Sequence, residues 1–112
     1  MRALLDESLP RRLAGAFHTI EVETVFGRGW RGLKNGALLG EAASDFDVFI
    51  TADQNLRYQQ NLSGFEIGVV VLAAVSNRLE DLLPLVGAAV EACEQVRPGE
   101  VKVVASRGPG PS

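Results

Sequence analysis

The sequence predicts one α/β domain of three layers, in which a mostly parallel sheet of about five strands lies between helices. Short apolar stretches that end in polar residues alternate with segments whose apolar residues recur at helical spacing. The stretch 66–72 is apolar almost throughout and rich in β-branched residues, which is typical of a central parallel strand covered on both faces. Alternation of this kind favours parallel strands joined by right-handed crossovers, with helices on both faces.

Size and composition limit the class of protein. A chain of 112 residues with 46% hydrophobic residues fits a single domain with a real core, which we expect at residues 1–105. Residues 106–112 are rich in Gly and Pro, and we expect them to form a disordered tail. A net charge of -3 argues against a generally basic surface for nucleic acid. Such binding would need local clusters of arginine and lysine.

Cysteine content and hydropathy bear on location. The single cysteine, Cys93, excludes an intramolecular disulfide and a thiolate metal cluster within the chain. The longest apolar run, 68–75, is far shorter than the roughly 20 residues that span a bilayer. We expect no secretory segment in the first residues, since Asp6 interrupts them. We therefore expect a cytoplasmic protein that does not associate with membranes.

In the first half of the chain, residues 2–5 form an apolar strand, and Ser8 followed by Pro10 predicts the start of a helix at 9–16. Residues 18–25 alternate between apolar and polar, which indicates a strand near a sheet edge. After a glycine-punctuated loop, helical spacing predicts a helix over 34–44.

In the second half, the strand 48–51 precedes a polar stretch, 55–61, that we expect to form one or two helical turns. After the strand 66–72, Asn77 and Glu80 have the spacing of a capping box and predict the start of a helix. Pro84 should kink or restart that helix. Its apolar stripe includes Cys93, which we expect to be a packed core residue. A turn at Pro98 and Gly99 leads to a last strand at 100–104.

Acidic side chains follow two of the predicted strands: Asp6 and Glu7 the first, and Asp53 the third. Parallel strands end at the same edge of a sheet and lie roughly 4.8 Å apart, so these carboxylates can converge. Convergent carboxylates favour a hard cation such as Mg²⁺ or Mn²⁺, which can activate water and neutralise a phosphoryl oxygen. The alternative is structural, because Asp and Glu are common at helix N-termini.

Two segments carry a family resemblance: residues 4–10, Leu-Leu-Asp-Glu-Ser-Leu-Pro, and residues 50–56, Ile-Thr-Ala-Asp-Gln-Asn-Leu. Together they resemble the PIN-like superfamily, and within it a short branch similar to the VapC-type toxin ribonucleases, over about residues 2–104. The resemblance implies a metal-dependent ribonuclease that acts on single-stranded RNA. It also implies an antitoxin protein as partner, as in toxin–antitoxin pairs, and a homodimer.

The resemblance also implies roles for individual residues. Asp6 would be the primary metal ligand with Glu7 beside it, and Asp53 would be the acidic residue at the end of the third strand. Asn35 and Asn55 stand where the family has acidic residues, so they would be neutral supporting ligands together with Thr51. Each Asn keeps an oxygen but lacks the charge, which lowers the affinity for a cation. The site would then be a weakened nuclease or one that only binds.

Basic and aromatic residues could hold the nucleic acid. Trp30 could stack on a base while neighbouring basic residues contact the backbone, or it could instead be a hydrophobic lid on the sheet edge. After the fourth strand, Arg78 could clamp a phosphate. The predicted nucleic-acid-binding residues are Arg28, Trp30, Arg31, Lys34 and Arg78.

Two other functions fit the same pattern. The chain could be a catalytically weak or inactive PIN-like module that binds nucleic acid or protein. It could also be a receiver-like phosphoacceptor domain with Asp53 as the acceptor, although Lys102 lies inside the last predicted strand rather than at its end. The only histidine, His18, precedes an edge strand, which argues against a histidine-based catalytic triad.

Overall fold

A computed structural model describes residues 1–106 of the chain, apart from the side chain of Asn35. Of the predicted tail, Ser106 donates a backbone hydrogen bond to the carbonyl of Ala73, and the rest lies outside the described residues. The strands are β1 (Arg2–Leu5), β2 (Glu21–Thr24), β3 (Val48–Thr51), β4 (Gly68–Ala73) and β5 (Val101–Ala105). The helices are α1 (Asn35–Asp45), α2 (Leu56–Gln59), α3 (Leu79–Leu82) and α4 (Val86–Gln95), with 3₁₀ helices at Arg11–Ala16, Leu62–Gly64 and Leu83–Leu85.

All five strands are parallel and lie in the order β2-β1-β3-β4-β5. The predicted α/β class and the number of strands are confirmed. β1 lies inside the sheet, and the chain goes from it to β2 on one side. It then crosses back to β3 on the other side, so the direction of the connections reverses at the boundary between β1 and β3. In open parallel sheets such a switch point leaves a crevice at the carboxyl ends of the strands. Asp6 and Asp53 follow the two strands that border it.

Side chains of each strand alternate between two cores, one on each face of the sheet. The first core joins strand residues to the 3₁₀ helix at Arg11–Ala16 and to α4, and includes Leu5, Ile50, Leu72, Leu13 and Cys93. The second core joins the opposite face to α1 and α2, and includes Leu4, Phe49, Val71, Leu39 and Leu56. The three-layer arrangement predicted from the sequence is therefore present.

The connections between strands do not all have the same hand. The connections from β2 to β3 and from β3 to β4 both run towards the β5 edge of the sheet, which is the first direction. They place α1 and α2 over the second core. The connection from β1 to β2 steps the opposite way and lies over the first core, so these three agree in hand. The β4–β5 connection steps in the first direction but packs α3 and α4 over the first core, which gives it the opposite hand. Uniformly right-handed crossovers were expected, and this expectation is wrong.

The amount of surface to be covered gives a physical reason for that reversal. The 3₁₀ helix at Arg11–Ala16 has six residues and one buried side chain, Leu13, so it covers only part of the first face. Ala89, Ala92 and Cys93 of α4 are buried on the same face and cover the remainder. Because all strands stay parallel, the reversal does not alter which edge carries their carboxyl ends.

The start of the first helical segment differs from the expectation. The helix predicted over 9–16 is the 3₁₀ helix at Arg11–Ala16, and Pro10 rather than Ser8 occupies its N-cap. The Ser8 hydroxyl donates instead to the Asp6 carboxylate. The strand predicted over 18–25 is shortened to β2, which lies at the sheet edge as expected.

The capping box predicted for Asn77 is also absent. Arg78 is the N-cap of α3, where no side chain caps the helix, and its backbone N–H donates to the Ser76 hydroxyl at 3.1 Å in the turn before it. Pro84 restarts the helix as predicted, since a 3₁₀ turn separates α3 from α4. Cys93 is 1% exposed and belongs to the core, also as predicted. Over residues 1–106, no helix has both the length and the apolar character needed to cross a bilayer.

Candidate metal and nucleic-acid site

Asp6 is held at the boundary between β1 and β3. Its backbone N–H donates to the carbonyl of Ile50 at 2.9 Å, which continues the ladder of the two strands. Its carboxylate oxygen Oδ2 accepts from the Thr51 hydroxyl at 2.8 Å and from the Ser8 hydroxyl at 2.7 Å. Two donors fix the orientation of the side chain, and Oδ1 has no hydrogen bond or ion pair within the described residues.

Thr51 connects the two acidic segments. It is fully buried, and its hydroxyl donates to Asp6 while accepting from the backbone N–H of Asp53 at 3.0 Å. The Asp6 side chain and the Asp53 backbone therefore meet at a single oxygen atom. The Ser8 hydroxyl also links the two segments, since it donates to the Asp6 carboxylate and accepts from the backbone N–H of Ala52 at 3.1 Å.

The carboxylate of Asp53 also has a structural role. Its Oδ1 accepts from the backbone N–H of Asn55 at 2.9 Å, which forms an Asx turn, and its carbonyl accepts from Leu56 at the start of α2. Asn55 is the N-cap of α2, but its own side chain is exposed and makes no capping bond. The turn leaves Asp53 Oδ2 as the oxygen that can take a further ligand.

Glu7 faces the glycine-punctuated loop. Its Oε1 accepts from the backbone N–H of Gly32 at 3.4 Å, and its Oε2 lies 3.8 Å from the Nε of Arg31. Gly32 has φ of +85°, a conformation that residues with a Cβ adopt at a cost. The charge of Glu7 is therefore shared with an arginine.

The residues present match a loosely held cation rather than a closed metal cage. Within residues 1–106, no three or more His, Cys, Asp or Glu side chains lie close enough together to hold a metal ion. Asp6 and Asp53 offer two carboxylates, which are oxygen ligands, whereas the predicted ligand Thr51 is fully buried and its hydroxyl is already hydrogen-bonded to both acidic segments. Mg²⁺ accepts such a set, because it keeps several waters and often uses only one or two protein carboxylates. Asn35 begins α1, and the position of its side chain lies outside the description.

A cavity of about 380 Å³ opens beside Asp6, at the carboxyl ends of β1 and β2. It carries both signs of charge, with carboxylates at Asp6 and Glu7 and guanidinium groups at Arg11 and Arg31. Its remaining lining residues are Leu5, Leu9, Pro10, Thr24, Val25 and Phe26.

Two of the predicted nucleic-acid-binding residues are built into the fold. Arg28 forms ion pairs with Glu23, at 3.6 Å, and with Asp45, and its guanidinium lies 4.7 Å from the ring centre of Trp30. Trp30 is half-buried and meets Phe46 edge to face, with ring centres 6.2 Å apart. This arrangement matches the lid on the sheet edge that was considered for Trp30.

The other three are on the surface. Arg31 and Lys34 are exposed on either side of Gly32, and Lys34 is the N-cap of α1. Arg78 lies beyond the carboxyl end of β4, where it is 75% exposed and close to Glu80. These three cations can reach a ligand without disturbing the core.

Sequence reasoning missed some residues of this edge. Ser8 is predicted from the sequence only as a helix cap, and its contact with Ala52 depends on the pairing of β1 with β3. Phe26 is predicted from the sequence only as a loop residue, although an aromatic residue followed by Gly27 and Arg28 is itself a signal of a binding surface.

The position of Lys102 bears on the receiver alternative. Lys102 is opposite Val70 in the middle of β5, an edge strand separated from β3 by β4. It is not at the end of the last strand, where a receiver would need its lysine.

Comparison with known proteins adds no relative: no family model, no curated protein and no solved structure matches the chain. Arguments about function therefore start from the geometry at the carboxyl ends of β1, β2 and β3.

Proposed function

We propose that the chain is a metal-dependent, PIN-like ribonuclease that cleaves single-stranded RNA, with Asp6 and Asp53 holding Mg²⁺ or Mn²⁺. The observation that carries this proposal is the shared contact at Thr51. Its hydroxyl joins the Asp6 carboxylate to the Asp53 backbone at the switch point between β1 and β3. Open parallel sheets bind their ligands at such points.

The protein's part in the reaction is to position oxygen ligands. Ser8 and Thr51 hold Asp6 through Oδ2, which directs its other oxygen to the site. The Asx turn holds Asp53 in the same way through Oδ1. When bound, the cation would supply a more acidic water and neutralise charge on a phosphoryl oxygen.

The neutral residues at the site lower its expected affinity for the cation. Asn55 is exposed and uncharged, and the charge of Glu7 is shared with Arg31. Activity should therefore need a higher cation concentration than a site with a full acidic set. An antitoxin partner and a homodimer belong to the same proposal and rest on the resemblance carried by residues 4–10 and 50–56, whereas a cytoplasmic setting rests on the single cysteine and the hydropathy.

Cleavage of a labelled single-stranded RNA at increasing Mn²⁺ tests the proposal. We expect Asp6→Asn and Asp53→Asn to slow cleavage by about a hundredfold or more, because each removes a negative charge that holds the cation beside the reacting phosphate. Glu66→Gln is the matched control, since Glu66 is exposed at the opposite edge of the sheet and should retain full activity. Cleavage by Asp6→Asn at the rate of the wild type would refute the catalytic role.

The second candidate is a PIN-like module that binds without cleaving. The absence of a group of three ligands within residues 1–106 and the turn made by Asp53 favour it. It predicts that wild-type protein binds RNA yet leaves it intact at every Mn²⁺ concentration. Calorimetric titration with Mn²⁺ separates the two candidates, because the binding module gives no heat that depends on Asp6.

A further inference from the structure

Two arginines from different segments share one exposed aromatic ring, and we call these residues the Arg11–Phe26–Arg31 cluster. The guanidinium carbon of Arg11 lies 4.1 Å from the centre of the Phe26 ring, and that of Arg31 lies 5.2 Å from it. Both are within cation–π range. The ring is 45% exposed, so it serves as a platform at the surface rather than as part of the core.

The two arginines of this cluster differ in their ion pairing. Arg31 is near Glu7, at 3.8 Å, but no ion pair to Arg11 is found within residues 1–106. The two guanidinium groups bring positive charge to the surface around one ring, and an anion bound there would neutralise it. Arginine pairs recognise phosphate well, because each planar guanidinium group offers several N–H donors in a fixed geometry.

All three residues of the cluster line the cavity beside Asp6. Asp6 and Glu7 line the same cavity. A volume of about 380 Å³ lies at the lower end of the range for small-ligand sites, which suits one nucleotide unit of a flexible strand. A phosphate group with an associated cation matches both signs of charge in this cavity.

We propose that the Arg11–Phe26–Arg31 cluster holds a phosphate group of single-stranded RNA next to Asp6. The identity of the ligand rests on the proposed function, but the binding itself does not require chemistry at Asp6. Phe26 keeps the two guanidinium groups in place through its ring, and the two arginines donate to the phosphate oxygens. The cluster thereby sets the position of the strand relative to the acidic residues.

Fluorescence anisotropy with a labelled oligouridylate of about ten nucleotides tests this site, with EDTA present so that metal-dependent cleavage is absent. We expect Arg11→Ala to weaken binding by about tenfold and to lower the salt dependence of log Kd by about 0.7, the contribution of one phosphate contact on a single strand. Phe26→Leu should weaken binding less, since the charges remain.

Arg12→Ala is the matched control, because Arg12 is an exposed neighbour that does not line the cavity. We expect it to change binding and salt dependence far less than Arg11→Ala does. Far-ultraviolet circular dichroism checks that every variant is folded. Equal binding by wild type, Arg11→Ala and Arg12→Ala overturns the proposal, as does a lack of binding by the wild type.

Competition experiments identify the form of phosphate. Displacement of the probe by uridine 5′-monophosphate that depends on Arg11 supports a terminal phosphate, whereas displacement only by unlabelled oligonucleotide supports an internal phosphodiester. Displacement by an acidic peptide as effectively as by the oligonucleotide overturns the assignment to phosphate. If RNA binding depends on Arg11 but the RNA is not cleaved, the phosphate site is supported and the nuclease activity is refuted. If the RNA is cleaved equally well with and without Arg11, the nuclease activity is supported and the phosphate site is refuted.

Discussion

At the scale of single residues, Thr51 decides how the two acidic segments meet. It is fully buried, yet its hydroxyl has a partner on each side: the Asp6 carboxylate and the Asp53 backbone. A buried hydroxyl without partners would cost free energy, whereas this one satisfies two other polar groups. Thr51 therefore contributes to the stability of the strand ends and to the position of the proposed ligands.

Replacing Thr51 with valine tests that role. Valine keeps the shape of the side chain but removes the hydroxyl, which leaves the Asp53 N–H without its acceptor and Asp6 Oδ2 with only the Ser8 hydroxyl as donor. We expect the free energy of unfolding in urea to fall by about 1–3 kcal/mol. Thr51→Ser is the control, because it retains the hydroxyl and should lose less stability than Thr51→Val. Equal losses in the two variants would mean that packing rather than hydrogen bonding matters at this position.

At the scale of elements, ion pairs and close backbone contacts hold the loops and turns against the ends of the strands. Arg28 joins the loop after β2 to Asp45 at the end of α1 and to Glu23 in β2. At the opposite edge, the first residue of β4, Gly68, lies against the turn that precedes β5. A Cβ atom there would be 2.7 Å from the Val96 side chain and 3.2 Å from the carbonyl oxygen of Arg97.

Two glycine-to-alanine substitutions should have opposite effects. We expect Gly68→Ala to lower the free energy of unfolding by about 1–3 kcal/mol, because the added methyl group forces Val96 or the adjacent backbone to move. Gly40→Ala should raise it by about 0.5–1 kcal/mol, since Gly40 lies within α1 and a Cβ there meets nothing within 4 Å. Thermal unfolding of both variants measures the difference. A stable Gly68→Ala would show that the turn before β5 adapts easily.

At the scale of the whole molecule, the two cores are coupled through the sheet. Neighbouring residues of β1 point into different cores, as Leu4 and Leu5 do, so the same strand contributes side chains to both cores. Cys93 lies in the first core between α4 and the sheet. Burial raises the pKa of its thiol from 9.0 to about 12, with a further contribution from Glu94. Its ionisation therefore accompanies unfolding of the domain.

The burial of the Cys93 thiol predicts how the free energy of unfolding depends on alkaline pH. Between pH 9.0 and about 12 the folded protein keeps the thiol protonated while the unfolded chain loses the proton, so the contribution of Cys93 to stability decreases as pH rises. The decrease should reach at most about 1.4 kcal/mol per pH unit. Cys93→Ala lacks this contribution, so we expect the difference in unfolding free energy between wild type and variant to narrow above pH 9.0. A constant difference would contradict a buried neutral thiol.

Much of the architecture could be predicted because it depends on local patterns. The bounds predicted for the third strand, 48–51, agree with β3, since a short apolar run between polar residues leaves little choice of register. The restart at Pro84 was predictable because proline cannot continue the hydrogen bonding of a helix. The placement of Asp6 and Asp53 at one edge followed from the expectation of parallel strands.

The sequence by itself determined the class of fold, the alternation of its elements and the acidic residues that follow β1 and β3. These features depend on the periodicity and chemistry of neighbouring residues. Only the tertiary structure decided the order of the strands, the hand of the β4–β5 connection and the shared contact of Asp6 with Ser8 and Thr51. It also decided that Arg11 and Arg31 meet on Phe26. Apart from the local bond between Ser8 and Asp6, these features join segments distant in sequence, and their partners are chosen by packing, which leaves no local signal in the chain.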